Sequence, residues 1–152
     1  DDLFRAYSGC KLMKGAKELV ADLKAAGVHV AIVSAGVDLY VQSIAALVKA
    51  DDWIANGFHF DDEGWLMDEG IVRVPSMEKY TSIQRLLEIL DCPPGRLISI
   101  GDSSMDLSMQ VEGSTFIGFN PQRDAAKAAF SEAGITVINS KDCNDLRPYL
   151  GL

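Results

Sequence analysis

Two aspartates, Asp102 and Asp106, follow the strand-like apolar run of residues 97–101 and lie four positions apart. A carboxylate at the end of a buried strand is costly unless a positive group faces it. Helix capping accounts for part of the pattern, because Asp accepts hydrogen bonds from the free amides of a helix start. A magnesium ion accounts for it better, since Mg²⁺ takes oxygen ligands and often only one or two carboxylates.

A hydroxyl and a lysine stand at two other element boundaries. Ser34 ends a predicted strand, and Ala35 and Gly36 are expected to open the next helix. A hydroxyl beside free amides at a helix N-terminus can hold a phosphate, although an ordinary serine cap also explains Ser34. Lys79 begins a predicted helix, where a cation faces the unfavourable end of the dipole. It is either a solvated surface lysine or a cation that neutralises phosphate and carboxylate charge together.

The elements that must position these side chains alternate along the chain. Strands alternating with helices predict an α/β fold with a Rossmann-like parallel sheet, helices on both of its faces, and a β-hairpin insertion at about 54–74. Ligands gather at the carboxyl ends of such strands, which is where Ser34, Asp102 and Asn120 fall. The predicted helices are residues 14–27, 37–49, 76–90, 103–112 and 121–134, with a short helical tail, and the predicted strands outside the hairpin are 28–36, 96–101, 114–119 and 135–139.

Composition narrows the class of ligand and the compartment. The chain has 14 basic and 22 acidic residues and a formal net charge of −8, which argues against general nucleic-acid binding. A small phosphorylated molecule stays possible where cations are concentrated locally. No apolar run reaches the length of about 18 residues that a membrane span needs. The three cysteines are widely spaced and form no Cys-x-x-Cys motif, which favours reduced thiols in a cytoplasmic protein.

The ordered set of Ser34, Lys79 and Gly101-Asp102-x-x-x-Asp106 resembles the haloacid dehalogenase-like superfamily of phosphohydrolases, and within it the phosphoserine phosphatase branch. Residues 29–36 resemble its second motif, Lys79 its third-motif lysine, residues 98–109 its fourth motif, and residues 55–66 its hairpin. Two positions depart from the branch. Met105 stands where Asn is usual, and Ala35 stands where Gly is usual.

The resemblance implies a role for each matching residue. Ser34, with Ala35 and Gly36, would bind phosphate. Lys79 would bind phosphate and take part in catalysis. Asp102 would be a catalytic Mg²⁺ ligand, and Asp106 a catalytic-site carboxylate that supports the metal from behind its direct ligands. Asn120, in the segment FIGFN, would lie near the substrate.

The family's first motif, Asp-x-Asp-x-(Thr/Val), has no match in the 152 residues. We therefore interpret residues 1–152 as the C-terminal portion of the core, holding motifs two to four. The first-motif strand and most of the cap are expected to be absent, because residues 1–15 resemble the exit from that cap. In the family the first-motif strand lies between the strands of motifs two and four. A separate N-terminal segment could fill that place, a partner chain could donate a strand, or the two strands could pair directly.

The resemblance implies a Mg²⁺-dependent phosphomonoester hydrolase that acts on a small phosphorylated metabolite through an aspartyl-phosphate. The nucleophile would lie outside this chain, and the chain alone is expected to be inactive. The alternative is a non-catalytic binding or regulatory module of the same fold. A phosphoacceptor receiver domain is disfavoured because Lys79 precedes Asp102. The substrate, the cap type and the oligomeric state are not predicted.

Overall fold

The structure, a computed structural model, describes residues 12–152, and its helices and strands alternate as the hydrophobic pattern predicted. The predicted cap exit, apart from residues 12–15, and Cys10 lie outside the described residues. The helices are α1 (Ala16–Ala25), α2 (Asp38–Val48), α3 (Lys79–Ile89), α4 (Asp124–Glu132) and α5 (Arg147–Leu150). The strands are β1 (Ala31–Val37), β2 (Asp52–Phe60), β3 (Leu66–Ile71), β4 (Ile98–Gly101), β5 (Thr115–Phe119) and β6 (Thr136–Ile138). Short 3-10 helices span Pro94–Arg96, Ser104–Met109 and Cys143–Leu146.

The chain forms two compact units. The first contains the described residues up to Pro75 together with Asp142–Asn144 and Leu152, and the second contains Ser76–Lys141 and Asp145–Gly151. Ser34 therefore belongs to the first unit, whereas Lys79 and Asp102 belong to the second.

The first unit contains a mixed sheet of order β1-β2-β3. β1 and β2 pair in parallel, and β2 and β3 pair antiparallel, so the hairpin predicted at 54–74 is present. Its turn is built around Asp61, whose Oδ1 accepts hydrogen bonds from the amides of Glu63 and Trp65 at 3.0 and 2.8 Å. This is the local side-chain-to-backbone bonding by which Asp initiates turns.

Helices α1 and α2 bury their apolar faces in this unit. Gly27 follows α1 with φ +78°, and the Val28 amide donates to the Leu23 carbonyl at 2.9 Å, so a left-handed glycine ends the helix. The buried apolar side chains are Leu19, Leu23, Val41, Ala45, Val48, Ala55 and Val74.

The second unit contains a parallel sheet of order β4-β5-β6, as the alternation of strands and helices predicted. β5 is central and almost wholly buried. Phe116 on β5 packs against Phe130 on α4 with ring centroids 5.6 Å apart. Gly118 permits that packing, because a Cβ built there would lie 2.7 Å from the Phe130 ring. Parallel pairing aligns Gly101 with Gly118, so the carboxyl ends of β4 and β5 lie side by side.

Two element boundaries differ from the sequence prediction. Ala35 and Gly36, which were expected to open the helix, lie within β1, and α2 begins at Asp38, because the β1–β2 ladder resumes at Val37 opposite Asn56. The helix expected over 103–112 is a 3-10 helix limited to Ser104–Met109, and Gln110 after it is extended with ψ 131°. Short 3-10 helices of this kind commonly serve as connectors.

Strands β1 and β4 are each at the edge of their own sheet. Within residues 12–152, β1 pairs with β2 and β4 pairs with β5, and each has one strand partner. Among residues 12–152, none of the helices has both the length and the apolar character that crossing a membrane requires.

Candidate active site

The turn that follows β4 is organised by the carboxylate of Asp106. Its Oδ2 accepts hydrogen bonds from the amides of Asp102 and Ser103 at 3.1 and 3.0 Å and from the Ser103 hydroxyl at 3.0 Å. Ser103 and Asp106 also form a reciprocal capping box at the start of the 3-10 helix. Gly101 is needed for this closure, because a Cβ built there would lie 2.7 Å from Cγ of Asp106.

The other oxygen of Asp106 binds Lys79. The Nζ atom lies 2.5 Å from Oδ1, and the two side chains are 9% and 10% exposed. The lysine is the first residue of α3, so its cation lies at the helix end where the dipole is least favourable. The buried aspartate compensates that cost, and it fixes the ammonium group beside the turn that carries Asp102. Lys79 is thus a buried ion-pair partner and not a solvated surface lysine.

The environment keeps Asp106 ionised. Burial by itself raises the pKa of this carboxyl, but the hydrogen bond and charge of Lys79 and the two bonds from Ser103 outweigh it and hold the pKa below its ordinary value. The Asp106 carboxylate is therefore ionised, and its oxygens accept hydrogen bonds from protein donors.

The carboxylate of Asp102, unlike that of Asp106, is exposed and is available to bind a metal ion. Its side chain is exposed at the carboxyl end of β4, and no group within residues 12–152 is paired with its carboxylate. One free carboxylate fits Mg²⁺, which commonly takes one or two from a protein and completes its shell with water and phosphate oxygens. Residues 12–152 contain no cluster of three or more acidic, histidine or cysteine side chains able to hold a metal. A metal ion at this strand end would therefore have Asp102 as its carboxylate ligand and would complete its shell from water and phosphate.

Ser108 positions the helix that carries Lys79. Its hydroxyl accepts a hydrogen bond from the Lys79 amide at 3.3 Å and lies 2.6 Å from the Met105 carbonyl and 3.2 Å from the Ser76 carbonyl. Helix α3 has no side-chain cap of its own at Glu78. A serine from the 3-10 helix therefore performs the capping role for α3.

Ser34 lies in the first unit, within β1. Its Oγ accepts a hydrogen bond from the Gly36 amide at 3.0 Å. This bond leaves the hydroxyl proton of Ser34 able to donate to a ligand. The Ser34-Ala35-Gly36 segment bulges out of the ladder, and the bulge, not the expected helix start, presents its backbone groups.

Asn120 follows the carboxyl end of β5, just as Asp102 follows the carboxyl end of the neighbouring strand β4. Its backbone has φ +51°, a left-handed conformation that Asn tolerates better than most residues. The Gln122 amide donates to its carbonyl at 3.1 Å and to its Oδ1 at 2.7 Å. The Asn120 side-chain oxygen is therefore engaged within its own loop.

The structure brings together Lys79, Asp106 and the Asp102 turn. It places Asn120 on the same sheet edge, and it describes Ser34 in the other unit, so the convergence of Ser34 with the rest stays a prediction. Sequence reasoning did not identify Ser108 or Gly101 as supports of the site. The Ser103-x-x-Asp106 spacing is a capping-box signature that could have indicated the turn geometry, but no sequence signal marks Ser108 as a cap for a different helix.

A family model described as haloacid dehalogenase-like hydrolase matches residues 1–110. Phosphoserine phosphatase of Idiomarina loihiensis is 30% identical over 151 residues, covering 99% of this chain and 64% of that protein. Phosphoserine phosphatase of Archaeoglobus fulgidus is 28% identical over 142 residues, covering 91% of this chain and 41% of that protein. The chain thus spans less than two thirds of the length of either relative.

Solved structures show the same likeness. The structure of a phospho-aspartyl intermediate analogue of phosphoserine phosphatase matches with a TM-score of 0.77 and 26% identity, covering 91% of this chain and 64% of that chain. A phosphoserine phosphatase in apo form matches with a TM-score of 0.77 and 25% identity, covering 90% of this chain and 66% of that chain.

Proposed function

Because the chain belongs to the haloacid dehalogenase-like hydrolase family, as its motifs predicted, we propose that it is the part of a phosphomonoester hydrolase that holds the phosphate and the metal. The observation that carries the proposal is the buried Lys79–Asp106 pair beside the free carboxylate of Asp102. It concentrates one cation and one open anionic ligand at a strand end, which is the arrangement needed to bind a dianion together with Mg²⁺.

Each residue has a defined part in the proposed reaction. Lys79 donates one ammonium N–H to Asp106 and keeps two more for phosphate oxygens. The Ser34 hydroxyl donates to another phosphate oxygen, and Asp102 binds Mg²⁺. The ion, when bound, supplies charge neutralisation for the transferring phosphoryl group. Most of the catalysis in phosphoryl transfer comes from such positioning and electrostatic stabilisation.

The attacking group is proposed to be an aspartate outside these 152 residues, which contain no Asp-x-Asp-x-(Thr/Val) motif. The similarity to a phospho-aspartyl intermediate analogue of phosphoserine phosphatase supports an aspartyl-phosphate as the intermediate. The relatives named phosphoserine phosphatase make phosphoserine the first substrate to test, within the class of small phosphorylated metabolites. We also place the protein in the cytoplasm, which the unpaired Cys92 and Cys143 support.

The test is a phosphate-release assay on the full-length protein with phosphoserine, sugar phosphates and nucleotides, with and without Mg²⁺. Asp102→Asn should abolish Mg²⁺-dependent turnover, and Lys79→Met should weaken phosphate binding and slow the chemical step. Asp124→Asn is the matched control, because its side chain is 100% exposed on α4 and should leave turnover unchanged.

Near-normal rates in both site variants would show that the site assignment is wrong. Phosphate binding by the full-length protein without any turnover would favour the alternative, a non-catalytic binding or regulatory module of the same fold.

A further inference from the structure

Strand β1 contains a bulge at the proposed phosphate-binding segment. Val33 pairs with Ile54 and Val37 pairs with Asn56, so three residues on β1 face a single residue on β2. The extra residues lose their regular ladder partners, and their backbone groups need other partners to hold one shape. The bulge contains Ser34, Ala35 and Gly36.

The side chain of Asn56 supplies those partners. Its Nδ2 donates to the Ala35 carbonyl at 2.9 Å and to the Val74 carbonyl at 3.2 Å. Its Oδ1 accepts from the amides of Arg73 and Val74, both at 2.8 Å. Two donors and two accepted bonds use the whole hydrogen-bonding capacity of a side-chain amide, so its orientation is determined.

Two residues beside Asn56 are buried. Val74 is 0% exposed, and Ala55, the residue of β2 that faces the bulge, is 1% exposed. A guanidinium N–H of Arg73 also donates to the Ala55 carbonyl at 3.1 Å. The Asn56 side chain therefore joins the β1 bulge to the backbone at the buried Val74.

We infer that Asn56 is a positioning residue that holds the Ser34–Gly36 bulge in its phosphate-binding shape. The inference rests on the proposed function, because it assigns Asn56 to the support of the same site. Ser34 has a fixed hydroxyl only while the bulge keeps the Gly36 amide within 3.0 Å of its Oγ. Without the Asn56 amide, the Ala35 carbonyl loses its partner and the bulge can relax. Preorganised donors bind a dianion better than donors that must first be ordered.

The test compares Asn56→Ala and Asn56→Asp with the wild type in the full-length protein. Asn56→Asp keeps an acceptor for the Arg73 and Val74 amides but removes the donor to Ala35. Both variants should raise the inhibition constant of inorganic phosphate and the KM by about tenfold, with a smaller effect on kcat. The Gly36 amide should also exchange its hydrogen faster in both variants.

Two controls separate positioning from a general loss of stability. Leu19→Ala truncates a side chain that is 5% exposed on α1, so it should lower the Tm while leaving phosphate inhibition unchanged. His59→Ala changes an exposed residue further along β2 and should alter neither quantity. An equal rise in KM for Leu19→Ala would show that the Asn56 effect is only structural, and the inference would be wrong.

Ser34→Ala distinguishes this inference from the proposed function. If Ser34→Ala weakens phosphate inhibition and the Asn56 variants do not, the positioning role is wrong and the proposed function stands. If Ser34→Ala leaves phosphate inhibition unchanged, the proposed role of Ser34 fails, and the positioning of a phosphate site fails with it. Faster hydrogen exchange at the Gly36 amide in the Asn56 variants would then show only that Asn56 stabilises the bulge.

Discussion

Asp106 is the residue on which the geometry of the second unit's site depends. It accepts hydrogen bonds from the Lys79 ammonium, the Ser103 hydroxyl and the amides of Asp102 and Ser103. A buried ion pair often contributes little net stability, because desolvation offsets the attraction between the charges. Removing one partner is a different matter, since the remaining charge is left buried without compensation.

Asp106→Ala is therefore expected to lower the free energy of unfolding of the full-length protein by about 3 kcal/mol at pH 7. Lys79→Met should cost less, because three other donors still hold the Asp106 carboxylate. Urea unfolding of the variants measures both quantities. Asp124→Ala is the control, because that carboxylate is fully exposed and its loss should cost well under 1 kcal/mol. A larger loss for Lys79→Met than for Asp106→Ala would contradict this order.

At the scale of elements, the 3-10 helix Ser104–Met109 follows β4 in the chain and is hydrogen-bonded to the start of α3. Asp106 points to both the turn before it and the lysine on α3, and Ser108 caps α3 through the Lys79 amide. One short segment thus sets the position of the free Asp102 carboxylate and that of the Lys79 ammonium relative to each other.

Ser108→Ala tests this connection. The variant removes an acceptor from the N-terminus of α3, and a lost cap costs about 1 kcal/mol of unfolding free energy. We expect it also to raise the KM of the full-length protein, because the Lys79 backbone is no longer held. Ser131→Ala, which changes an exposed serine on α4, is the matched control for unfolding and kinetics. An unchanged KM with reduced stability would limit Ser108 to a structural role.

A second junction between elements lies in the first unit. Lys24 on α1 forms an ion pair with Oδ1 of Asp51 at 2.6 Å and donates to the Lys49 carbonyl after α2 at 2.7 Å. The other oxygen of Asp51 accepts from the Val30 amide, just before β1, at 2.9 Å. The hydrogen bonds from Lys24 and from the Val30 amide lower the pKa of Asp51 below its ordinary value of 3.8, against a smaller opposing effect of burial.

The contribution of Asp51 to the free energy of unfolding should decrease as the pH falls. A carboxyl whose pKa is lower in the folded state stabilises the protein above the unfolded-state pKa, and the contribution is lost as pH falls through the folded-state pKa. Asp51→Asn should therefore cost about 0.5 kcal/mol at pH 7, because the pair is partly exposed. The difference from the wild type should shrink as pH falls below 3.8. Urea unfolding from pH 7 to pH 3 measures it, and a difference that grows toward acid pH would contradict the assignment.

The sequence predicted most elements because their signals are local. Alternation of apolar runs with helical spacing located the strands and helices, and the hairpin followed from the turn residues around Asp61. The start of α2 was predicted too early, because the bulge at Ser34–Gly36 depends on Asn56, which lies about twenty residues further along the chain. Ser108 escaped prediction for the same reason: its partner Lys79 is distant in sequence.

At the scale of the whole molecule, two apolar strands, β1 and β4, each lie at an edge of their own sheet. Within the described residues, β1 and β4 each have a single strand partner, and each carries one of the proposed ligand-binding segments at its carboxyl end. We propose that a further strand, from a segment outside these residues or from a partner chain, pairs with these edges, because unpaired backbone groups cost about 1–3 kcal/mol each when they are buried. The chain spans 64% of the length of its Idiomarina loihiensis relative.

The last prediction concerns the activity of the 152-residue chain in the absence of the proposed nucleophile. The 152 residues contain candidate groups for binding phosphate and metal but no Asp-x-Asp-x-(Thr/Val) motif. The purified 152-residue chain is therefore expected to release no phosphate from p-nitrophenyl phosphate at any Mg²⁺ concentration, whereas the full-length protein should do so. A cooperative thermal transition of the short chain, followed by circular dichroism, is the control that it is folded during the assay. Mg²⁺-dependent hydrolysis by the short chain would show that an attacking group lies among these residues, and Asp102→Asn in the same chain would then test whether the activity uses the proposed site.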